Sequence, residues 1–185
     1  GRRVGVDNMY LYMGKLGLLA KTGIDLSGEA GTIIHKQENV GAVELATMSF
    51  GQSFQITPVQ MLRAVAAIVN GGKLVTPHFG LYTSSSDGSV VNEFAYSTEE
   101  EAISLQTSEM MKQILEGVVS EGGGTKAYIE GYSIGGKTAT SQKLPRGSGK
   151  YISSFIGFAP AENPQVIAMC LIDEPTGVYY GGTIA

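Results

Sequence analysis

The sequence predicts an α+β fold in which helices pack on an antiparallel sheet. Two patterns point to this class. Between residues 7 and 120, apolar side chains recur at three- and four-residue steps in several segments, as on the buried face of a helix. After residue 133, short alternating segments follow one another through links too brief for a parallel crossover. The 185 residues, 43% of them hydrophobic, are enough for one domain or a large part of one.

The first half of the chain predicts three helices. Residues 7–20 have helical periodicity, 22–37 read as a long ordered loop, and a short helix follows over 41–50. Thr57 and Gln60 form a capping box with Pro58 in the first turn, and Asn70-Gly71-Gly72 ends that helix. Its predicted apolar face consists of Met61, Leu62, Val65, Ile68 and Val69.

The second half predicts strands around a further helix. Residues 73–96 read as short strands with an exposed tip at 84–88, and a helix spans 107–120 with Glu109 in its first turn. We expect the apolar face of that helix to consist of Met110, Ile114, Leu115 and Val118. Three strands follow, at about 134–142, 151–159 and 165–173.

Composition excludes several classes of protein. The net charge of −4 argues against nucleic acid as an obligate partner, and no Lys/Arg cluster marks a membrane-binding surface. The longest apolar run near the C-terminus, 166–172, is too short to cross a bilayer, so we expect no spanning segment and no signal peptide here. His35, His78 and Cys170 lack metal-ligand spacing, so we expect no metal and no cofactor. We expect Cys170 to be a buried core thiol.

The segment from Gly135 to Gln142 satisfies two unrelated motif patterns. Together with Gly131 it matches G-x-x-x-x-G-K-[ST], the loop that holds nucleotide phosphates at a helix N-terminus. The residues after Thr138 contain Pro145 and several glycines, which prevent a helix of useful length. The phosphate-loop interpretation is therefore strongly disfavoured.

The alternative interpretation places Lys137 and Thr138 on the edge of an antiparallel strand that faces a cleft. There an ammonium and a hydroxyl can bind a carboxylate, and strand N–H groups can hold an oxyanion. A second Lys-Thr-Gly, at Lys21-Thr22-Gly23, lies in a segment without strand pattern, and we expect it to be a structural turn.

Several longer stretches of the chain resemble sequence blocks of a known protein family. The matching blocks are Lys21–Ala30, Glu44–Ser53, Ile56–Gln60, Gly136–Lys143, Tyr151–Pro160, Asp173–Gly177 and Tyr180–Ala185. In order and spacing they strongly resemble the transpeptidase domain of class B penicillin-binding proteins, the sporulation-specific and septal kind. The resemblance implies a partial penicillin-binding transpeptidase (serine β-lactamase-like) fold over 1–185, with 1–130 mainly helix and loop and 131–185 three antiparallel strands.

The resemblance also implies an activity and site residues. The activity is D,D-transpeptidation of peptidoglycan stem peptides, with β-lactams trapping the nucleophile. Lys137 and Thr138 would position the carboxylate of the substrate or β-lactam. Thr140 would add its hydroxyl to the carboxylate site and its N–H to the oxyanion hole. Gln142 and the turn containing Gly51 and Gln52 would support them.

Two departures from the family pattern bear on these implications. No Ser-x-x-Lys or Ser-x-Asn occurs, so the nucleophile Ser and its Lys are absent from this chain, and we expect these residues alone to be inactive. Ala139 stands where the binding motif has glycine, and its methyl group could narrow the cleft. A second hypothesis therefore remains open, in which a non-catalytic module binds cell-wall peptides or division and sporulation proteins.

The family comparison further implies that this is the second half of a domain. It lacks the first two strands of a five-stranded sheet and a final helix after Ala185. We expect exposed sheet edges, and either self-association or packing with the missing part of the same domain. The resemblance implies that the parent protein works at the extracytoplasmic face of the bacterial membrane.

Overall fold

The computed structural model describes residues 1–99, 101–145 and 147–185, and these form two compact units. The first unit consists of residues 1–67 and 72–104, and the second of residues 68–71 and 105–185. The structure contains helices and antiparallel strand pairs, which confirms the α+β prediction. None of the helices within the described ranges is long and apolar enough to span a membrane.

Within the described residues, the first unit contains three α-helices, a 3-10 turn at Gln37–Asn39 and three short strand pairs. Its α-helices are α1 (Gly5–Lys15), α2 (Ala42–Met48) and α3 (Pro58–Val69). The last two residues of α3 belong to the second unit. The antiparallel pairs are β1 (Ile33–Ile34) with β2 (Phe54–Gln55), β3 (Leu74–Val75) with β6 (Thr98–Glu99), and β4 (Tyr82–Ser84) with β5 (Val90–Glu93). The predicted helix over 7–20 ends earlier, at Lys15, because Gly17 adopts a φ of +71°.

The capping box at the start of α3 is confirmed. Gln60 Oε1 accepts the Thr57 N–H at 2.8 Å, and Thr57 Oγ1 accepts the Gln60 N–H at 3.2 Å. The Gln60 Nε2 group also donates to the Ala20 carbonyl and the Thr32 hydroxyl. The buried face of α3 is therefore more polar than predicted: Gln60 and Arg63 are buried, whereas Met61, Leu62 and Val65 are only half-buried.

The Lys-Thr-Gly at 21–23 is the structural turn that the sequence predicts. Glu29 Oε1 accepts the Thr22 N–H at 2.6 Å and the Thr22 hydroxyl at 2.7 Å. Glu29 Oε2 accepts the Gly23 N–H at 3.2 Å. Partial desolvation raises the pKa of Glu29, but these hydrogen bonds outweigh it and leave the pKa below its usual value. This turn therefore binds a carboxylate from its own loop.

The second unit holds α4 (Leu105–Ser120), a three-stranded sheet and the short α5 (Gly181–Ile184). The strands are β7 (Gly135–Gln142), β8 (Tyr151–Ala159) and β9 (Val166–Asp173), in the order β7-β8-β9 with both pairs antiparallel. These positions and pairings confirm the three predicted strands. Lys137 and Thr138 lie within β7, whereas a phosphate loop requires a helix that begins at these residues. The phosphate-loop interpretation is therefore wrong.

The predicted apolar face of α4 is wrong in part: Leu115 packs against the core as expected, but two of the other predicted residues do not. The buried side of α4 carries Ser108, Lys112 and Val119, whereas Met110 and Ile114 are exposed. The buried Lys112 Nζ donates to the Glu162 carbonyl at 2.8 Å, so the buried side of α4 includes a polar anchor at a position outside the predicted apolar face. Because α4 begins two residues earlier than predicted, Glu109 lies in the second turn.

Cys170 is exposed on β9, contrary to the buried thiol expected from the apolar run around it. β9 is an edge strand of this sheet, and only one of its faces is covered. An apolar run therefore does not guarantee burial at an edge.

Candidate active site

The side chains of β7 alternate between two faces of the sheet. Lys137 and Ala139 lie on one face, opposite Ile156 and Ser154 of β8. Thr138 and Thr140 lie on the other face, opposite Phe155 and Ser153. The structure thus brings the two threonines together and separates them from the lysine, although all three share one strand.

The backbone of Thr138 and Thr140 points towards the outer edge of β7. The Lys143 N–H donates to the Lys150 carbonyl at 2.9 Å, which marks a hydrogen-bonded pair, and pair types alternate along an antiparallel ladder. Both threonines therefore occupy non-hydrogen-bonded positions relative to β8. Among the described residues β7 pairs with no other strand. The Thr140 N–H is consequently directed to an open edge, where it can donate to a bound oxyanion.

The two glycines at the start of β7 allow aromatic rings to lie directly against the strand. A Cβ on Gly135 would come within 2.3 Å of the Phe158 ring, and one on Gly136 within 2.5 Å of the Phe155 ring. Such distances are far below van der Waals contact, so only glycine fits beneath these rings. The rings fix the strand just before Lys137.

Thr140 is tied to the short helix α5. Its Oγ1 accepts the Gly181 N–H at 2.9 Å. Gly181 lies against the sheet so closely that a Cβ there would be 2.1 Å from the Ala139 carbonyl oxygen and 2.6 Å from that of Ser154. Accepting this hydrogen bond uses a lone pair and not the proton, so the Thr140 hydroxyl can still donate to a ligand.

Lys137 is exposed, and its Nζ donates to the Thr138 carbonyl at 2.8 Å. That carbonyl points to the open edge of β7, so the ammonium lies over the same edge as the Thr140 N–H. A cation and a backbone donor are therefore presented together to an approaching anion.

Ala139 occupies ordinary extended backbone. The described non-glycine residues with positive φ are Ser53, Glu101 and Glu174, and Ala139 is not among them. The alanine methyl group lies on the Lys137 face and is exposed. The backbone conformation therefore does not require the glycine that the motif has at this position.

The remaining predicted site residues lie at the end of β7 and in the other unit. Gln142 is half-buried and pairs with Tyr151. Gly51 has a φ of +85° in the turn after α2, where the Gln52 N–H donates to the Thr47 carbonyl at 3.0 Å. Supporting roles for all three remain predictions.

An ionic cluster closes the far end of the β7–β8 hairpin. Lys143 Nζ lies 2.8 Å from both Asp173 Oδ1 and Glu174 Oε1, and Lys150 Nζ lies 2.8 Å from Glu174 Oε2. Hydrogen bonds from Lys143 and then Lys150 lower the pKa of Glu174 to about 2. The bonds to Asp173 and Glu174 raise the pKa of Lys143. The cluster links all three strands at the end beyond Gln142.

The structure also places a tyrosine stack that the sequence reasoning missed. The Tyr151 and Tyr179 rings stack with centroids 4.0 Å apart, and Tyr180 packs on Tyr179 at 4.6 Å. Tyr180 directly precedes Gly181 and is exposed. The consecutive tyrosines before Gly181-Gly182 are the one sequence signal that could have indicated an aromatic wall here.

Comparison with known proteins assigns these features to a family. The family model described as the penicillin binding protein transpeptidase domain matches residues 1–185. The chain belongs to this family. Membership in the transpeptidase family confirms the resemblance that the sequence blocks carry.

Named relatives are consistent with this family. Stage V sporulation protein D of Bacillus subtilis is 41% identical over 190 residues, covering 100% of this chain and 29% of that protein. The probable peptidoglycan D,D-transpeptidase PenA of Neisseria meningitidis is 35% identical, covering 99% of this chain and 30% of that protein. The chain thus spans about three tenths of the length of these curated relatives.

Solved transpeptidase-family structures share the fold. Penicillin binding protein 3 of Mycobacterium tuberculosis, crystallised with ampicillin, matches with a TM-score of 0.85 and 31% identity. The match covers 94% of this chain and 41% of that one. The same protein with aztreonam has a TM-score of 0.86. This matched protein was thus crystallised with two different β-lactams.

Proposed function

We propose that this chain forms one wall of the active site of a peptidoglycan D,D-transpeptidase that is also acylated by β-lactams. The geometry around Thr140 carries the proposal. Its N–H faces the open edge of β7, its hydroxyl accepts from Gly181 and keeps its proton for a ligand, and the Lys137 ammonium lies over the same edge. A carboxylate and an oxyanion are the groups that such donors bind best.

Lys137, Thr138 and Thr140 have separate roles in this proposal. The Lys137 ammonium and the two threonine hydroxyls hold the C-terminal carboxylate of a stem peptide or the carboxylate of a β-lactam. The Thr140 N–H stabilises the oxyanion that develops on the attacked carbonyl. Ala139, between them, bounds the space that the ligand occupies.

The chemistry also needs a nucleophile, and no Ser-x-x-Lys occurs in these 185 residues. In the proposed reaction a serine outside them attacks the penultimate D-Ala carbonyl, and terminal D-Ala leaves with its electron pair and a proton. The amine of a neighbouring stem peptide then displaces the serine and restores its hydroxyl. A β-lactam acylates the same serine by opening its ring. We further propose that the intact protein works at the extracytoplasmic face of the membrane.

The decisive experiment compares the two Lys-Thr pairs in the full-length protein. Lys137→Ala should lower the rate constant for acylation by a fluorescent penicillin about 10- to 100-fold, the effect of one hydrogen bond to a charged group. Lys21→Ala removes the matched lysine from the structural turn and should leave the rate unchanged. A wild-type protein that forms no covalent adduct would contradict the proposed activity.

The 185 residues alone should not be acylated. We expect the intact mass to remain unchanged after incubation with benzylpenicillin, because no serine in these residues has a lysine three positions later, the Ser-x-x-Lys spacing of the nucleophile. Full-length protein, treated in parallel, is the positive control. An adduct mapped to any serine of these residues would show that the nucleophile has been misassigned.

Ala139 favours a second candidate function, in which the domain binds wall peptides without catalysis. A methyl group at the motif's glycine position can hinder close approach of a reacting carbonyl while carboxylate binding persists. Ala139→Gly in the full-length protein distinguishes the enzymatic proposal from the non-catalytic binding module. Under the enzymatic proposal it preserves or raises the acylation rate, whereas a non-catalytic module binds a D-Ala-D-Ala peptide by calorimetry and stays unacylated in both forms.

A further inference from the structure

Ser153 is a fully buried polar residue in the middle of β8, and the proposed reaction does not use it. Its side chain is 0% exposed, and its hydroxyl donates to the Tyr179 carbonyl. In the β7–β8 register Ser153 lies directly opposite Thr140, on the same face of the sheet. This buried hydroxyl has one specific hydrogen-bond partner, and that partner lies two residues before the group that contacts Thr140.

We infer that Ser153 is a positioning residue that orients the Thr140 hydroxyl through the segment from Tyr179 to Gly181. This inference rests on the function proposed above, because it assigns the orientation of a group that binds the ligand carboxylate. Ser153 itself touches no ligand.

The contacts form a continuous path from Ser153 to Thr140. The Ser153 hydroxyl fixes the Tyr179 carbonyl, two residues before Gly181. Gly181 rests on the β7 and β8 backbone, and its N–H reaches Thr140 Oγ1 at 2.9 Å. Two residues after Gly181, the Thr183 carbonyl accepts from Lys126 Nζ at 3.0 Å. The segment is therefore tied to the rest of the unit two residues before and two residues after Gly181.

The position of the Gly181 N–H decides which way the Thr140 hydroxyl donates. A hydroxyl has one proton and two lone pairs, and the proton rotates to suit its surroundings. When Gly181 donates to the oxygen, the proton is directed away from α5 and towards a ligand. If the Tyr179–Gly181 segment moves, the hydroxyl can turn to another acceptor, and the ligand carboxylate loses a donor.

The test measures acylation of the full-length protein by benzylpenicillin and by its methyl ester, whose neutral ester group replaces the carboxylate. Ser153→Ala should lower the acylation rate constant for benzylpenicillin about ten-fold, the size of one partly lost charged hydrogen bond. The rate constant for the ester should change less than about two-fold, since the variant leaves the nucleophile and the oxyanion donors in place. A two-fold change corresponds roughly to the scatter seen when the effects of independent substitutions are compared. Ser154→Ala, the neighbouring serine on the opposite face, is the matched control and should behave as wild type.

A double-mutant cycle identifies the residue through which Ser153 acts. In a Thr140→Ala background, Ser153→Ala should have no further effect on benzylpenicillin acylation, because the oriented hydroxyl is already gone. Ser153→Cys keeps the volume with a weaker donor and should give an intermediate rate. Rates are referred to folded protein, measured by thermal melting. Hydrogen exchange at the Gly181 amide should be faster in Ser153→Ala.

Each outcome separates this inference from the proposed function. Equal losses with benzylpenicillin and its ester, or additive effects with Thr140→Ala, would show that Ser153 affects the site as a whole and not through the Thr140 hydroxyl, and would overturn the inference while the enzymatic proposal stands. An unchanged Gly181 exchange rate in folded Ser153→Ala, or in Ser153→Cys if the alanine variant does not fold, would overturn it as well. A wild-type protein that is not acylated would overturn the proposed function and, with it, this inference.

Discussion

At the scale of single residues, Gly181 shows how little space separates α5 from the sheet. Its missing side chain lets the backbone of α5 rest on the carbonyls of Ala139 and Ser154 while its N–H reaches Thr140. The contact needs the absence of a Cβ and not an unusual φ, because Gly181 is not among the positive-φ glycines. Close approach is thus the reason for glycine here.

Gly181→Ala should therefore destabilise the fold and weaken acylation. The added Cβ would lie 2.1 Å from the Ala139 oxygen, so α5 must move and the bond to Thr140 must lengthen. We expect a loss of about 1–3 kcal/mol in the free energy of unfolding, the usual cost of overpacking. Gly117→Ala is the control, since nothing lies within 4 Å of its Cβ in α4; it should stabilise by about 0.5–1 kcal/mol. Urea denaturation measures both, and equal effects would contradict the close-packing explanation.

At the scale of elements, Gln60 connects the start of α3 to both ends of the 20–32 loop. Its amide accepts from Thr57 and donates to Ala20 and Thr32, and the side chain is 0% exposed. A buried amide with all these partners satisfies backbone groups that would otherwise be unpaired. The N-terminus of α3 and the ordering of the 20–32 loop thus depend on one side chain.

Replacing Gln60 by Met, which has similar volume, should reduce the free energy of unfolding by about 2–4 kcal/mol, because several buried groups lose their partner. Gln113→Met, at an exposed position of α4, is the matched control and should be nearly neutral. Thermal and chemical denaturation provide the comparison. Equal effects of the two substitutions would show that the network around Gln60 adds no net stability.

The ionic cluster at the end of the β7–β8 hairpin predicts a pH dependence. Glu174 has a folded-state pKa of about 2, below its ordinary 4.5. Its contribution to stability is therefore fully present above about pH 4.5 and is lost as the pH falls towards 2. Glu174→Gln should flatten the stability profile in that window, and added salt should reduce the difference from wild type. Profiles of wild type and variant that stay parallel from pH 5 to 2 would exclude this role.

At the scale of the whole molecule, strand edges dominate the second unit. The outer edges of β7 and β9 have no strand partner among the described residues, and Val166 and Leu171 of β9 are exposed. Unpaired edges with apolar side chains favour pairing with another strand. Because the β7 edge is the proposed ligand-binding edge, we interpret the β9 edge as the site where further parts of the same domain, or a second copy, can pack.

The 185 residues produced alone should accordingly self-associate. Size-exclusion chromatography with light scattering should show dimers or larger species whose population rises with concentration. Lys substitutions at Val166 and Leu171 should shift the distribution towards monomer, because charge on an edge strand opposes pairing. A cooperatively folding monomer at all concentrations would contradict the prediction.

Local sequence was sufficient for much of the fold because helix caps, turns and strand alternation depend on neighbouring residues. The Thr57–Gln60 capping box, the three final strands and the Lys21–Gly23 turn all have this local origin. The family and the candidate residues Lys137, Thr138 and Thr140 follow from sequence motifs, which are also short contiguous stretches of the chain.

Tertiary structure alone decided which faces became buried and how the site is arranged. Met110, Ile114 and Cys170 are apolar by sequence but exposed, because burial depends on which elements pack together. The bonds from Gly181 to Thr140 and from Ser153 to Tyr179 join residues 41 and 26 positions apart. Periodicity carries no information on such distant pairings. They arise only when β7, β8 and the α5 segment fold against one another, and with them comes the orientation of the Thr140 hydroxyl.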